Sequence, residues 1–361
     1  MKKILNKNIK LFNDNFLSTN DVLLKPSTGI VESRKEINLD ETFLFSSPMD
    51  TVTGKDLILA MLKTNQCPVS CRFNSYSERA TELISFHKNK NYWFSVGTSK
   101  KDYDFLNAWS QDYPEAKINI AVDVAHGDTI HLHKIYERYS KQDWCANLMS
   151  GTVATPESAK NCYDHGCTHI RVGIGPGSAC STRIVTGCGL PNLSAVHNIW
   201  LNFYDLGIEY EVKIIADGGI KTTGDIAKYL AAGADAVMIG NLLSKTQESA
   251  GWKVSTYYYY LSLFLPRYSK YIYYKRYRGQ ASASFQLAKR GQISGTPEGV
   301  EGPKQYPQYS YLEFYNSTVN ALRSSLSYLG GNDFQYFSPE NIEFILITQN
   351  SLIESKPHLL T

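Results

Sequence analysis

Short apolar runs recur along the chain at residues 43–47, 67–71, 92–96, 118–122, 145–149, 169–172, 212–216 and 236–239. Each has the length of a buried strand, and segments between them read as helices, among them 54–63, 76–88, 155–164, 193–204 and 223–232. Thr155-Pro156-Glu157 is a helix start, because a hydroxyl cap precedes a proline at the first helical position. Thr223-Gly224-Asp225 reads as a second start of that kind. Gly166 and Gly233 stand where a left-handed residue would end a helix and lead into the next strand. Strand then helix, repeated over eight runs, predicts a (β/α)8 barrel. The rival, an open doubly wound sheet, wants a glycine fingerprint after its first strand, and Ser47-Pro48-Met49-Asp50 occupies that place.

After the eighth run the rhythm breaks for about 70 residues, 241–310, before a last helix near 315–328. The expectation is one barrel domain over residues 1–361, with 241–310 as an insertion on its catalytic face. Composition narrows the function classes. Hydrophobic residues make up 43% of the 361, charged residues 20%, and 37 Lys+Arg stand against 34 Asp+Glu, a net charge of +3. That balance excludes a disordered chain and a strongly basic nucleic-acid binder. No run approaches the roughly 20 apolar residues needed to span a bilayer. The first residues, MKKILNKNIKLFNDN, interrupt every apolar stretch with Asn or Lys, so a signal-peptide core is missing and a cytoplasmic location is expected. The seven cysteines lack paired metal-ligand spacing, and a chain with a core of this size needs no disulfides. Nine of the 25 tyrosines crowd into residues 257–277. Aromatics and cations in 256–278 could stack on nucleic-acid bases, but a β-hairpin insertion or oligomer contact is the favoured reading, and no nucleic-acid or membrane partner is expected.

In a barrel of this kind the reactive groups sit on loops after the strands. After the sixth strand comes Gly173-Ile174-Gly175-Pro176-Gly177-Ser178-Ala179-Cys180-Ser181-Thr182-Arg183. Its glycines let the backbone turn sharply and point N–H groups inward, which suits a phosphate, and Cys180 ends the same loop. The competing reading of Cys180 is a buried structural thiol. After the seventh strand stands Asp217-Gly218-Gly219, and after the eighth Gly240-Asn241, the loops that often bind phosphate in such barrels. Asp217 would then accept hydrogen bonds from a ribose diol, since a carboxylate beside a phosphate would repel it. A tight turn is the alternative for Asp-Gly-Gly alone.

These loops resemble the IMP dehydrogenase and GMP reductase family. The likeness covers most of the chain: Asp21-Val22-Leu23-Leu24, Ser33-Arg34, Ser47-Pro48-Met49-Asp50-Thr51-Val52, Asp123-Val124-Ala125-His126-Gly127, the Gly173 to Cys180 loop, Asp217-Gly218-Gly219, Pro297-Glu298-Gly299-Val300-Glu301-Gly302, and Leu322-Arg323-Ser324 with Tyr328. The resemblance implies a purine nucleoside monophosphate as substrate, a nicotinamide cofactor and a homotetramer. It matches Cys180 to the nucleophile that attacks purine C2, Thr182 to a hydroxyl in proton transfer, and Glu298 to the acid at the N1 edge. A thiolate adding to C2 would split a difficult displacement into two easier steps. Ser178, Gly219, Gly240, Asn241 and Tyr277 match phosphate-binding positions; Asp217, with Gly218, matches the ribose site. Ser47 and Met49 line the nucleotide pocket, and Gly279 and Gln280 lie against the base. Asp123, Ala125 and Gly173 match positions facing the cofactor. The carbonyls of Gly175, Gly177 and Cys180 match a monovalent-cation site, K+ in the family.

Within the resemblance, the reductase direction is favoured: NADPH-dependent conversion of GMP to IMP and ammonia. The dehydrogenase, which oxidises IMP to XMP with NAD, activates water with an Arg-Tyr pair on a flap. Here 18 residues separate Gly279 from Glu298, with no Arg-Tyr dipeptide among them. The regulatory domain that the dehydrogenase usually inserts after its second strand is missing, and Thr186-Gly187 with Leu193-Ser194-Ala195-Val196 reads as reductase. Pro297 to Gly302 is closer to bacterial dehydrogenases. Other departures are Gln280 for a methionine beside the purine, Thr152 for an asparagine near the cofactor, Cys71-Arg72 for His-Lys, and the lack of an arginine shortly before Glu298. IMP dehydrogenase is the alternative, as is a repurposed barrel that acts on a modified purine nucleotide or only binds one.

Overall fold

The computed structural model describes residues 2–251, 253–255, 273–306 and 309–357. The eight apolar runs become β1 (Leu44–Ser46), β2 (residues 67–71), β3 (Trp93–Val96), β4 (Ile118–Val122), β5 (Cys145–Met149), β6 (His169–Val172), β7 (Lys213–Asp217) and β8 (Ala236–Ile239). All but β2 form a seven-stranded parallel sheet in the order β1-β8-β7-β6-β5-β4-β3. β2 closes the gap between the sheet's edges, though not as the regular strand that its apolar run suggests. Cys67 bridges Phe45, Val69 bridges Trp93, and the Cys67 and Ser70 N–H groups donate to the carbonyls of Leu44 and Trp93. Pro68 is the physical reason for the irregularity, because it has no N–H to give to a ladder. With β2 in place the strands form a closed ring, the (β/α)8 barrel.

Two apolar layers hold the ring. Inside it, Phe45, Cys67, Val69, Trp93, Met149 and Met238 belong to one buried cluster, to which most of the strands contribute. Outside it, the helices α1 (Lys55–Lys63), α2 (Tyr76–Phe86), α3 (Lys100–Asp112), α4 (Ile130–Ser140), α5 (Pro156–Asp164), α6 (Asn192–Leu206), α7 (Thr223–Ala231) and α8 (Tyr311–Leu329) cover the strands through a second, larger core. Local chemistry starts them where hydroxyl caps stand. Thr155 accepts from Ser158 N–H ahead of Pro156, and Ser75 and Ser310 form reciprocal capping boxes with Glu78 and Glu313. For α7 the cap is Thr222, one residue before the predicted start, paired reciprocally with Asp225. α8 likewise begins earlier than its apolar pattern indicates.

Several elements lie outside the strand–helix rhythm. A helix at Lys2–Asp14 opens the chain, and Val22–Leu24 pairs antiparallel with Phe344–Leu346. The Ser33-Arg34 motif meets α8: Arg34 donates to Ser324 Oγ at 3.0 Å and to Tyr328 Oη at 3.1 Å. The segment after β8 contains an antiparallel sheet of Lys253–Ser255, Tyr273–Arg278 and Glu301–Tyr306, with a helix at Ala283–Arg290. Residues 256–272, which hold most of the tyrosine block, lie outside the described residues. Among the described residues no helix is long and apolar enough to cross a membrane.

Gly166 and Gly233 adopt φ of +98° and +103°, as their positions at helix ends require. At Gly233 an added Cβ would also lie 2.2 Å from Cγ of the buried Trp200 on α6. Gly233→Ala is therefore expected to cost about 2–4 kcal/mol, from overpacking plus left-handed strain. A fall in the urea midpoint at unchanged m-value would show it.

Candidate active site

The loops after seven strands, from β1, β2 and β4 to β8, converge with residues 277–281 and 294–299 of the insertion on a cleft of about 450 Å³. That volume lies within the range of small-molecule sites, about 300–1,000 Å³. Every sequence-predicted site residue lines this cleft, from Ser47 and Met49 to Glu298.

Close backbone packing shapes one corner. Gly173 has φ +150°, and a Cβ there would lie 2.1 Å from the Asp217 carbonyl oxygen; one on Gly218 would lie 3.1 Å from the Gly177 nitrogen. The loops after β6 and β7 thus meet where no side chain fits. A Cβ on Gly240 would lie 3.1 Å from both Ser47 Oγ and Tyr277 Oη, so β1, β8 and the insertion meet at the same corner. Ser178 Oγ donates to Tyr277 Oη at 3.5 Å, and burial pushes the Tyr277 phenol up, keeping it a proton donor at neutral pH. Among the described residues the N–H groups of Ser178 and Gly219 have no protein acceptor, and Asn241 has a buried, unpartnered amide oxygen. Unused backbone donors beside hydroxyls make a seat for an anion.

Cys180 is exposed, which removes the buried-structural reading. Its Sγ lies 3.1 Å from Thr182 Oγ1. Burial pushes the thiols of Cys67, Cys71, Cys145 and Cys162 up to about 12, so they stay protonated at neutral pH. Glu298 is brought to Cys180 by a small ladder. Ser181 N–H donates to the Glu298 carbonyl at 2.9 Å, and Val300 N–H to Ala179 at 3.0 Å. On the other side Glu298 N–H donates to Ala281 and Gly279 N–H to Val300, each at 3.1 Å. The strip 298–300 therefore runs between the cysteine loop and residues 279–282.

A chain of buried charge links the two halves of the cleft. Arg171 Nε donates to Asp217 Oδ2 at 2.7 Å and its Nη1 to Asp123 Oδ1 at 2.9 Å; Arg72 Nε lies 3.3 Å from Asp123 Oδ2. Asp217 keeps Oδ1 free of protein partners among the described residues, an acceptor turned to the cleft it lines. Burial raises its carboxyl above the ordinary range, against the lowering pull of Arg171. Both oxygens of Asp123 are engaged by guanidinium groups, so its carboxylate is already held by protein partners. Thr152 Oγ1 donates to the Ala125 carbonyl at 2.5 Å, and Gln280 Nε2 to the Pro48 carbonyl.

Sequence reasoning passed over Arg171 and Arg183. Arg171 shares one strand face with His169, whose imidazole burial lowers to about 3; an arginine on the inner face of a barrel strand demands carboxylates, and that was the available signal. Arg183 lies under the cysteine loop, donating to the Ile174 carbonyl at 2.8 Å and to that of Leu190.

The family model described as "IMP dehydrogenase / GMP reductase domain" matches residues 11–358. Proteins named inosine-5'-monophosphate dehydrogenase are similar to this chain. That of Methanocaldococcus jannaschii is 35% identical over 68% of this chain and 49% of its own length. That of Aquifex aeolicus is 34% identical over 73% and 51%, and that of Chlorobaculum tepidum 32% over 85% and 57%. The chain spans about half the length of the curated relatives it matches.

Arg171→Met would leave two buried carboxylates without their shared cation, at an expected cost of about 3–5 kcal/mol at neutral pH. The sign of the pH dependence follows from Asp217. A carboxyl whose folded-state pKa exceeds its unfolded value of 3.8 holds a proton that the unfolded chain has lost, so stability falls as pH rises through that interval. Loss of Arg171 widens the interval. The deficit of the variant, from urea melts, should be smaller at pH 4.5 than at pH 7.5.

Proposed function

The chain belongs to the IMP dehydrogenase / GMP reductase family, and we propose that within it the chain acts as a reductase, turning GMP into IMP and ammonia with NADPH. The observation that carries the direction is the segment between Gly279 and Glu298. It forms a capped helix, Ala283–Arg290, and a turn in which Ser294 N–H donates to Gln286 Oε1 at 2.7 Å, with no Arg-Tyr dipeptide to activate a water. β2 also passes into α2 through residues 72–75 alone, leaving no inserted domain at that point.

In this reading the phosphate sits on the Ser178, Gly219, Gly240, Asn241 and Tyr277 corner, and Asp217 accepts from the ribose. Cys180 sulfur bonds to purine C2. The C2–N bond then breaks and the amino group leaves as ammonia, with the proton it needs passed through Thr182 and Glu298. The cleft continues past Cys180 to Gly173, Asp123, Ala125, Thr152, Arg72 and Phe73, polar groups beside an aromatic ring that fit a nicotinamide. These residues would hold the reduced nicotinamide, which when bound would supply the hydride that C2 accepts. When the C–S bond breaks, its electron pair returns to Cys180. The carbonyls of Gly175, Gly177 and Cys180 offer three oxygens to a monovalent cation such as K+; that of Gly177 already accepts the Cys180 N–H at 3.0 Å. The reading takes residues 1–361 as one barrel domain in a cytoplasmic homotetramer.

A second reading, oxidation of IMP to XMP with NAD, is favoured by the names of the relatives and by Pro297 to Gly302. A third is a barrel that only binds a purine nucleotide. Absorbance at the nicotinamide band separates them: NADPH consumption with GMP supports the reductase, NAD reduction with IMP the dehydrogenase, and silence with both pairs removes both activities. Cys180→Ala should abolish turnover, by at least about 10³-fold, while nucleotide affinity measured by calorimetry stays within about threefold.

A further inference from the structure

Behind the anion corner, the turn after β8 is tied to a buried lysine. Ser244 N–H donates to the Gly240 carbonyl at 2.8 Å, and Ser244 Oγ to the Asn241 carbonyl at 2.7 Å. A trans peptide points its C=O and its N–H in opposite directions. Tying the Gly240 carbonyl back into the turn therefore aims the Asn241 N–H away from it, and that N–H has no protein acceptor among the described residues. Asn241 lines the cleft, so the direction of its peptide matters to what binds there.

Lys275 is completely buried, and its Nζ donates to Ser249 Oγ at 2.7 Å and to the Ser244 carbonyl at 3.3 Å. It lies on Tyr273–Arg278, the central strand of the insertion's sheet, two residues before Tyr277 and so on the same face. That face is pressed onto the barrel, while Arg276 between them is exposed. Gly251 leaves room for the lysine stem: its φ is +111°, and a Cβ there would lie 2.8 Å from Lys275 Cε. An ammonium group withdrawn from water is costly unless its N–H groups find acceptors, and here those acceptors belong to the turn that carries the corner. Lys275 is not among the residues that line the cleft, which leaves it to act through Ser244. Resting on the purine-nucleotide reading above, we propose that Lys275 is a positioning residue for phosphate binding. By holding Ser244 it fixes the turn after β8, and with it the Gly240–Asn241 edge of the anion seat.

Calorimetry on the full-length protein with GMP and with guanosine, which lacks only the phosphate, isolates that seat. The wild type is expected to bind GMP at least about 100-fold more tightly than guanosine, as a few charge-assisted hydrogen bonds provide. Lys275→Met keeps the stem and removes the ammonium; it should cut that advantage about tenfold and leave guanosine affinity within about twofold. Ser244→Ala keeps the carbonyl that Lys275 holds but loses the bond to Asn241. It should cut the advantage about threefold, and it carries the test if Lys275→Met does not fold. Equal losses for GMP and guanosine, the mark of a merely structural lysine, overturn the proposal, as does an unchanged advantage in Ser244→Ala. A wild-type protein that binds neither ligand overturns the nucleotide reading itself.

Discussion

The Arg171 guanidinium, buried inside the barrel between Asp217 and Asp123, is the interaction on which the site depends. Isolated, each of these three charges would be expensive to keep away from water. Together they satisfy one another, and because they come from β6, the end of β7 and the loop after β4, pairing them fixes the relative positions of three loops. Arg72, after β2, extends the chain to a fourth. One side of the network faces the proposed nucleotide and the other the proposed cofactor. A buried ion pair is weak evidence for net stability, but breaking one is costly, and that asymmetry gives the network its hold on geometry.

Around this electrostatic spine the loops approach at backbone distance. Gly173 against Asp217 and Gly218 against Gly177 leave no space for a side chain, so the anion corner consists of main-chain donors and hydroxyls. The insertion completes the cleft from above: its 298–300 strip pairs with the cysteine loop, and Tyr277 reaches the corner where Gly240 meets Ser47. Cys180, Thr182, Glu298 and the backbone donors of the anion corner thus come from elements far apart in sequence, brought to one cleft by contacts within the protein.

Much of this was legible in the residues themselves. Eight apolar runs with helices between them specify a closed barrel, because strands feeding helices on one side can bury their apolar faces in that way. Hydroxyl caps such as Thr155 and glycines such as Gly166 act locally and are readable locally. The glycine loop ending in Cys180 and the Asp217-Gly218-Gly219 turn were readable as lining one cleft, since both follow barrel strands at the same end. Less legible were features that depend on a partner distant in sequence. Pro68 makes β2 irregular, yet only its neighbours β1 and β3 show that the ring still closes. The cap of α7 lies at Thr222 because the reciprocal bond to Asp225 spans three residues, a choice between adjacent threonines that composition leaves open.

The sequence alone determined the architecture and the family, since periodicity, capping and short motifs are properties of contiguous residues. Tertiary structure alone decided how the polar groups of the cleft are engaged. Asp217 reads in sequence as a hydrogen-bond acceptor and Asp123 as a residue of the cleft, and the fold commits three of their four oxygens to arginines. Gln280 reads as adding a donor and an acceptor where the family has a methionine, and the fold ties that donor to the Pro48 carbonyl on the loop after β1. Hydrogen bonds and ion pairs are short-ranged and directional, so their partners are chosen by the closing of the barrel and not by distance along the chain.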